Sequence, residues 1–277
     1  MNFPASPLGP TNLGRIVTTL CCAFAIVASH AADTAGPSMS ATELAAKLSA
    51  FQQDGESYVR LRLDVTGATK VALQLQIKQR RTKTETEIVY QVLWPKERKG
   101  ESILLRKTGE RPATGTLFRL PDILKTLDGE QMKGALFGSD LTIEDIIENF
   151  FAWEHQADVG REIVDRVNCQ ILESIPGKGQ HSSFASVRTW VDMRRLVPLR
   201  VEKYTASGEL ARRIDFTKVT TDDINRHIPA DLTVRGRRQD SVTELDGSKI
   251  RHDVTYTDRE FTPEGLKELK PPTSASK

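Results

Sequence analysis

Strict two-residue alternation near the start of the chain does most to limit what it can fold into. In "SYVRLRLDV", Val59, Leu61, Leu63 and Val65 alternate with Tyr58, Arg60, Arg62 and Asp64, the pattern of a strand with one buried face. "GAT" supplies a turn, and "VALQLQIKQ" then sets Val71, Leu73, Leu75 and Ile77 against Gln74, Gln76 and Lys78. The two runs predict a meander hairpin. A third run, "KTETEIVYQVLW", puts Thr84, Thr86, Ile88, Tyr90, Val92 and Trp94 on one face, and its polar first half is expected to project beyond the core.

Strand-like runs continue at "SILLRK", "TLFRL", "EIVDRVNCQILESI", "SFASVRTWVDM", "LRVEKYT", "LARRIDFTKV", "LTVRG", "SVTEL" and "IRHDVTYT". Turn sequences such as "KTGER", "IPGKG" and "ASGE" separate them at the spacing of an antiparallel sheet. Helical periodicity is confined to residues near 41–53, 142–154 and 262–269, which argues against alternating strand–helix–strand units. The expected class is mainly β: a curved antiparallel sheet forming an incomplete β-barrel covered by a few helices. With no Pro/Gly-rich break in mid-chain, residues 41–269 read as a single domain, followed by a loose tail over 270–277 ("KPPTSASK").

Residues 1–31 read as a secretory signal peptide. Arg15 precedes the apolar run "IVTTLCCAFAIVA", which is too short to span a bilayer. Ser29 and Ala31 then supply the small residues of a cleavage site. The mature protein is therefore expected in the periplasm of a Gram-negative-type envelope, with 32–40 as a linker. Cys21 and Cys22 sit in "TTLCC", without the small residues that precede a lipidated cysteine, so no lipid anchor is expected. Cys169 is then the one cysteine left, and it excludes an internal disulfide.

A net charge of +2 for the whole chain, of which the signal contributes Arg15, predicts no nucleic-acid partner. The basic clusters "KQRR" (Lys78 to Arg81) and "RGRR" (Arg235 to Arg238) read as solvated strand ends or loops, since no aromatic residues interleave them.

The acidic stretch "FGSDLTIEDI" reads as a helix start. Thr142 and Asp145 have capping-box spacing, and Ile143, Ile146, Ile147, Phe150 and Phe151 recur every three or four residues. Asp140, Glu144 and Asp145 have no histidine at ligand spacing, so no metal site is expected there. Glu144, Asp145 and Glu148 are expected to face solvent or the helix N-terminus. The apolar residues Ile143, Ile147, Phe150 and Phe151 would make this helix a hydrophobic lid on the sheet.

The chain contains no Gly-x-Ser-x-Gly, phosphate loop or dinucleotide fingerprint, and His155, His181, His227 and His252 are scattered. Cys169, alternating with Val167 and Ile171, reads as a small buried hydrophobe. The expectation is a protein without catalytic residues, metal or cofactor. A curved sheet under few helices either encloses a cavity for an apolar ligand or is filled by its own side chains, and alternation does not separate the two.

At "WPKERKGESILLR", then "LFRLPD", then "FGSDLTIEDI", the chain resembles the bacterial outer membrane lipoprotein-sorting protein family, relatives of the periplasmic carriers LolA and LolB. Pro95, Lys96, Lys99 and Gly100 match its Pro-Lys-x-x-Lys-Gly segment, and Leu120 and Pro121 its Leu-Pro pair. Gly138, Ser139, Asp140, Leu141, Thr142, Glu144 and Asp145 match its Gly-Ser-Asp segment. Trp190, Asp192, Pro198 and Gly208 fall in its later strand–turn–strand. The resemblance covers about residues 55–235. It implies noncovalent binding and transfer of a lipid or acylated lipoprotein, with an inner-membrane exporter or outer-membrane acceptor as partner and transient membrane contact.

The cavity lining expected from alternation and resemblance together is Val59, Leu61, Leu63, Leu73, Leu75, Ile77, Ile88, Tyr90, Val92 and Trp94. Two other classes stay open: a structural subunit of an envelope complex with a solid core, and an envelope hydrolase.

Overall fold

The alternating runs become the long strands of one sheet in the computed structural model, which describes residues 38–52, 55–68, 70–236, 240–247 and 250–274. The expected signal segment lies outside the described residues, as do 32–37 of the linker and 275–277 of the tail. Arg237 and Arg238 of "RGRR" also lie outside them.

Helix α1 (Ala41–Gln52) starts at Ser40, whose Oγ accepts a hydrogen bond from the Glu43 amide at 3.2 Å. Leu44 and Leu48 are buried, whereas Phe51 on the last turn is 40% exposed. Strands β1 (Gly55–Thr66), β2 (Val71–Arg81), β3 (Glu85–Trp94), β4 (Ser102–Thr108), β5 (Thr114–Arg119) and β6 (Ile123–Leu127) form a first antiparallel meander. A crossing segment follows, with α2 (Gly129–Met132), α3 (Ile143–Ile147) and a 3-10 turn at Phe150–Ala152. Strands β7 (His155–Val164), β8 (Val167–Ile175), β9 (Ser186–Asp192), β10 (Val197–Tyr204), β11 (Leu210–Thr221), β12 (His227–Arg235) and β13 (Val242–Gly247) form a second meander.

Strand β13 pairs with β1, so the two meanders join into a sheet of 13 strands in the order β6-β5-β4-β3-β2-β1-β13-β12-β11-β10-β9-β8-β7. Its two edges, β6 and β7, are consecutive in sequence. Right-handed twist accumulated over so many strands curls the sheet into an incomplete barrel. The segment between Asp128 and Glu154 runs from one edge to the other, and its apolar side chains fill the interior.

Two inner clusters result. Val59, Leu63, Leu73, Leu75, Ile77, Ile88, Tyr90, Val92, Ile103 and Leu105 pack with Met132, Leu136, Leu141, Ile143 and Ile147 of the crossing segment. Leu44 and Leu48 of α1 pack with Phe150, Phe151, Trp153, Leu172 and Val201, and Ile214 touches both clusters.

The outer face is covered as well, which sequence alternation does not reveal. Val89, Leu104 and Phe118 pack beneath Phe261 and Leu266 of the C-terminal segment. That cover buries the polar residues opposite the inner face: Tyr58 Oη donates to Gln76 Oε1, Gln76 Nε2 to Gln91 Oε1, and Gln91 Nε2 to the Leu266 and Glu268 carbonyls. Lys78, expected at a solvated strand end, is 2% exposed, and desolvation holds its pKa below the usual lysine value. On the other half of the outer face, Cys169 packs with Val164, Trp190 and Leu199, and burial pushes its thiol up to about 11.

Some elements differ from expectation. "EIVDRVNCQILESI" is a hairpin, with Asp165 and Arg166 both at positive φ between β7 and β8, the geometry that matches strand twist. Strand β6 and the first half of β7 carry almost no buried residues and so lack an alternation signal. The expected helix 262–269 is two 3-10 turns, Asp258–Phe261 and Gly265–Lys267. Thr273–Ser274, in the segment read as a loose tail, forms β15 and pairs with β14 (Val254–Thr255).

Candidate ligand-binding site

Of the expected cavity residues, Val59, Leu63, Leu73, Leu75, Ile77, Ile88, Tyr90 and Val92 lie together on the inner face, each at most 9% exposed, with Leu61 partly buried against them. Trp94 does not join them. The β2–β3 register shifts between Gln74↔Trp94 and Leu75↔Val92, a bulge of one extra residue at Leu93. The bulge turns Trp94 onto the face of Gln74 and Arg62, where it is 52% exposed.

The expected lid helix is also corrected. It stops at Ile147, because Glu148 is extended and Asn149 breaks the helical run. Ile143 and Ile147 therefore cover the first inner cluster, while Phe150 and Phe151 pack with α1 in the second. The start is as the sequence implies: Thr142 Oγ1 accepts from the Asp145 amide, and Asp145 Oδ2 accepts from the Thr142 amide at 2.7 Å. Ahead of it, Gly138 at φ 92° completes a turn that its Cβ-free backbone permits.

Of the acidic residues, Glu144 stays half-buried and accepts from Ser183 at the surface and Asp145 caps the helix N-terminus, but Asp140, the Asp145 side chain and Glu148 are buried. Asp140 is 6% exposed and accepts from Ser241 Oγ at 2.9 Å and Thr243 Oγ1 at 2.8 Å, which fastens the crossing segment to β13. Asp145 accepts from Lys203 Nζ of β10 at 2.8 Å and from Arg212 of β11. Burial alone would raise its pKa, but the two cations hold its carboxyl below the usual range. Lys203 Nζ also lies over the rings of Phe184 (4.8 Å) and Phe150 (5.4 Å).

Beside this ion pair opens a cleft of about 680 Å³, bounded by the β2–β3 and β4–β5 turns, the end of α1, the crossing segment and the loop 180–183. Its apolar wall includes Met132, Ile147, Ala152 and Trp153. Glu148 also lines it, 8% exposed, with Ser182 Oγ donating to its Oε2 at 3.1 Å. Desolvation pushes the Glu148 carboxyl up to about 7, against the pull of nearby Lys203. Sequence reading missed this cleft because its walls come from five separate segments, mostly loops without periodicity.

Another cluster forms away from the cleft. Asp222, Asp223 and His252 bring ligand atoms within 4.8 Å of one another, although they are far apart in sequence. Arg226 donates from Nε to Asp222 at 2.9 Å and from Nη2 to His252 Nε2 at 2.7 Å. His252 Nε2 must then accept, which leaves the proton on Nδ1 facing Asp223 at 2.6 Å. Arg226 bridges Asp222 and His252, and the arrangement reads as a clamp between the β11–β12 turn and the C-terminal segment.

A family model described as an uncharacterized protein matches residues 84–268, about two thirds of the chain. No curated protein matches it. Among solved structures, the chain is similar to a DUF1329 family protein from Desulfovibrio piger, with TM-score 0.76, 20% identity, and coverage of 82% of this chain and 97% of that one. It is also similar to a putative outer membrane lipoprotein-sorting protein domain from Vibrio parahaemolyticus: TM-score 0.72, 18% identity, 82% and 98% coverage. A LolA superfamily protein from Nitrosomonas europaea follows with TM-score 0.64, 17% identity, 81% and 98% coverage. At these identities the likeness is one of fold.

Proposed function

The chain belongs to the family of uncharacterized proteins whose model spans residues 84–268, and it has the fold of the outer membrane lipoprotein-sorting proteins of the LolA superfamily; from that premise we propose that it is a noncatalytic carrier of a lipid or acylated lipoprotein in the periplasm. The observation that carries this reading is the crossing segment. A single stretch of chain joins both edges of an open barrel and supplies the apolar side chains that fill it.

Displacing the stretch between Leu136 and Ile147 would uncover the faces of Val59, Leu63, Leu73, Leu75, Ile77, Ile88, Tyr90 and Val92. An acyl chain taking its place exchanges like for like. Burying a sixteen-carbon tail is worth roughly 13 kcal/mol at about 0.8 per carbon, comparable with the loss from exposing five or six aliphatic side chains at about 1.5–3 each. Such a near balance permits loading and release by small changes elsewhere. Ile143 and Ile147 act as the gate, and an inner-membrane exporter or outer-membrane acceptor would shift the balance through transient membrane contact. Among the described residues no helix is long and apolar enough to cross a membrane.

A second reading, a scaffold subunit with a permanently solid core, is favoured by the close packing of the inner cluster. Native mass spectrometry of protein purified from its host envelope, followed by lipid extraction, separates the two. A co-purifying lipid or acylated peptide in near-unit ratio supports the carrier. A bare mass that stays bare after incubation with phospholipid vesicles sinks it and leaves the scaffold.

A further inference from the structure

The β1–β2, β3–β4 and β5–β6 turns lie at one end of the first meander, since every second turn of an antiparallel meander returns to the same end. At that end Trp94 is 52% exposed, Leu120 43%, Ile123 56% and Leu124 38%. These are four of the ten large apolar side chains exposed among the described residues, and the other six divide among α1, β7, β8, β11 and the β11–β12 turn. Leu120 Cδ2 comes within 3.8 Å of the position a Cβ on Gly100 would take, so the β3–β4 and β5–β6 turns stand side by side. Their apolar residues form one patch rather than scattered exceptions.

The flank of the patch is basic. Lys96, Lys99, Arg119 and Lys125 are exposed and make no ion pair among the described residues. Of the acidic residues on the same two turns, Glu101 is paired with Arg98 and Asp122 with Lys267, which leaves Glu97. Four unpaired cations less one carboxylate give a surplus of three positive charges. Exposed apolar residues elsewhere lack this surround: beside Val159 and Ile163 on β7, Arg161 pairs with Asp158 and Arg200 with Glu162. Where one part of this chain covers another, as under Phe261, charges are also paired, with Glu87 held by Arg80 and Arg106. The patch also adjoins the crossing segment, because Arg98 Nη1 donates to the Phe137 carbonyl at 3.4 Å and Phe137 packs against the first inner cluster.

We propose that this end of the sheet docks on an anionic phospholipid bilayer, with Trp94, Leu120, Ile123 and Leu124 entering the interface and the four unpaired cations meeting lipid phosphates. Apolar tips inside a flank of one charge sign complement a surface that is apolar beneath a uniformly negative layer. An indole seats well at headgroup depth, where its ring is in contact with acyl chains and its N–H stays among polar groups. The inference rests on the carrier reading for its purpose and deepens it by placing the membrane contact. Docking there sets the bilayer beside the turn that Arg98 ties to Phe137, in the segment whose displacement uncovers the interior.

The test is co-sedimentation of protein purified from its host envelope with vesicles of phosphatidylcholine alone or with about one third phosphatidylglycerol. Partitioning is expected to rise roughly a hundredfold with the anionic lipid, about fivefold for each net charge, and to fall back in about 1 M salt. Trp94 emission should move to shorter wavelength on the vesicles; Trp153 and Trp190 are 6% and 5% exposed, so Trp94→Phe should lose the shift. Trp94→Glu combined with Ile123→Glu should lower partitioning at least about tenfold, while Ile163→Glu, at the more exposed apolar site on β7, should leave it unchanged. Lys96→Glu with Lys99→Glu should abolish the preference for phosphatidylglycerol. Equal binding to both vesicle types, or binding that survives the Trp94→Glu, Ile123→Glu change, overturns the docking assignment. A dimer that Trp94→Glu dissociates, without vesicle binding, gives the patch to a second copy instead. Protein that carries a co-purified lipid yet ignores vesicles overturns this inference and leaves the carrier standing. Protein that binds vesicles through the patch but comes off them bare of lipid supports docking and counts against the carrier.

Discussion

Asp145 on α3 and Lys203 on β10 meet at 2.8 Å with both side chains 1% exposed, so a buried ion pair ties the crossing segment to the far half of the sheet. The contact joins the two inner clusters: Asp145 follows Ile143, which packs in the first, while Lys203 lies over Phe150 and Phe184 of the second.

Removing one member of that pair leaves an uncompensated charge in the interior. Asp145→Ala is expected to destabilise the protein by about 3–5 kcal/mol in urea unfolding. The double variant with Lys203→Met should cost less than the two single changes summed, because Lys203 is no longer left unpaired and only Arg212 loses its partner. A loss below about 0.5 kcal/mol for Asp145→Ala would show that the pair does not hold the segment down.

Glu148 gives stability a pH dependence of definite sign. Its folded carboxyl titrates at about 7, above the ordinary value of 4.5. The folded state therefore binds the proton more tightly, and the contribution is fully present below about pH 4.5 and lost as pH rises to about 7, on the order of a few kcal/mol. Urea midpoints measured from pH 5 to 8 should fall more steeply for the unaltered protein than for Glu148→Gln. Parallel curves for the two proteins would refute the burial of this carboxylate.

The filled state of the barrel has its own signature at Leu75, which is 1% exposed in the first inner cluster. Leu75→Ala is expected to cost about 2–5 kcal/mol, the range for a large side chain removed from a packed core. A residue lining an open, wet cavity would cost about 1 kcal/mol or less. Denaturation of lipid-free protein distinguishes these values.

The bulge before Trp94 separates two neighbours that simple alternation puts on one face. Val92→Ala should cost about 2 kcal/mol, as Val92 is fully buried, while Trp94→Ala should stay within about 1 kcal/mol despite the larger side chain. Quenching of Trp94 fluorescence by iodide, compared in the unaltered protein and Trp94→Phe, provides an independent check. A Trp94 inaccessible to iodide would contradict the exposed placement.

Sequence alone determined the local elements whose pattern has a short period. The faces of β1 and β2, most of β3, the Thr142–Asp145 cap and the start of α1 follow from alternation and capping chemistry within a few residues. So does the mainly β class, because repeated strands with few helices leave an antiparallel sheet as the arrangement that buries every apolar face. Only the tertiary structure decided what stands opposite each face. Gln76 and Lys78 read as solvent-facing, yet Phe261 and Leu266 arrive from the far end of the chain to bury them. Asp145 and Glu148 read as the polar side of a helix, yet the curl of the sheet brings Lys203 to them from 58 residues away for Asp145. Trp94 changed face through one bulged residue. Local pattern reports that a side chain can be buried; the cover, the ion partners and the cleft between segments arise from long-range contacts that leave no periodic trace in sequence.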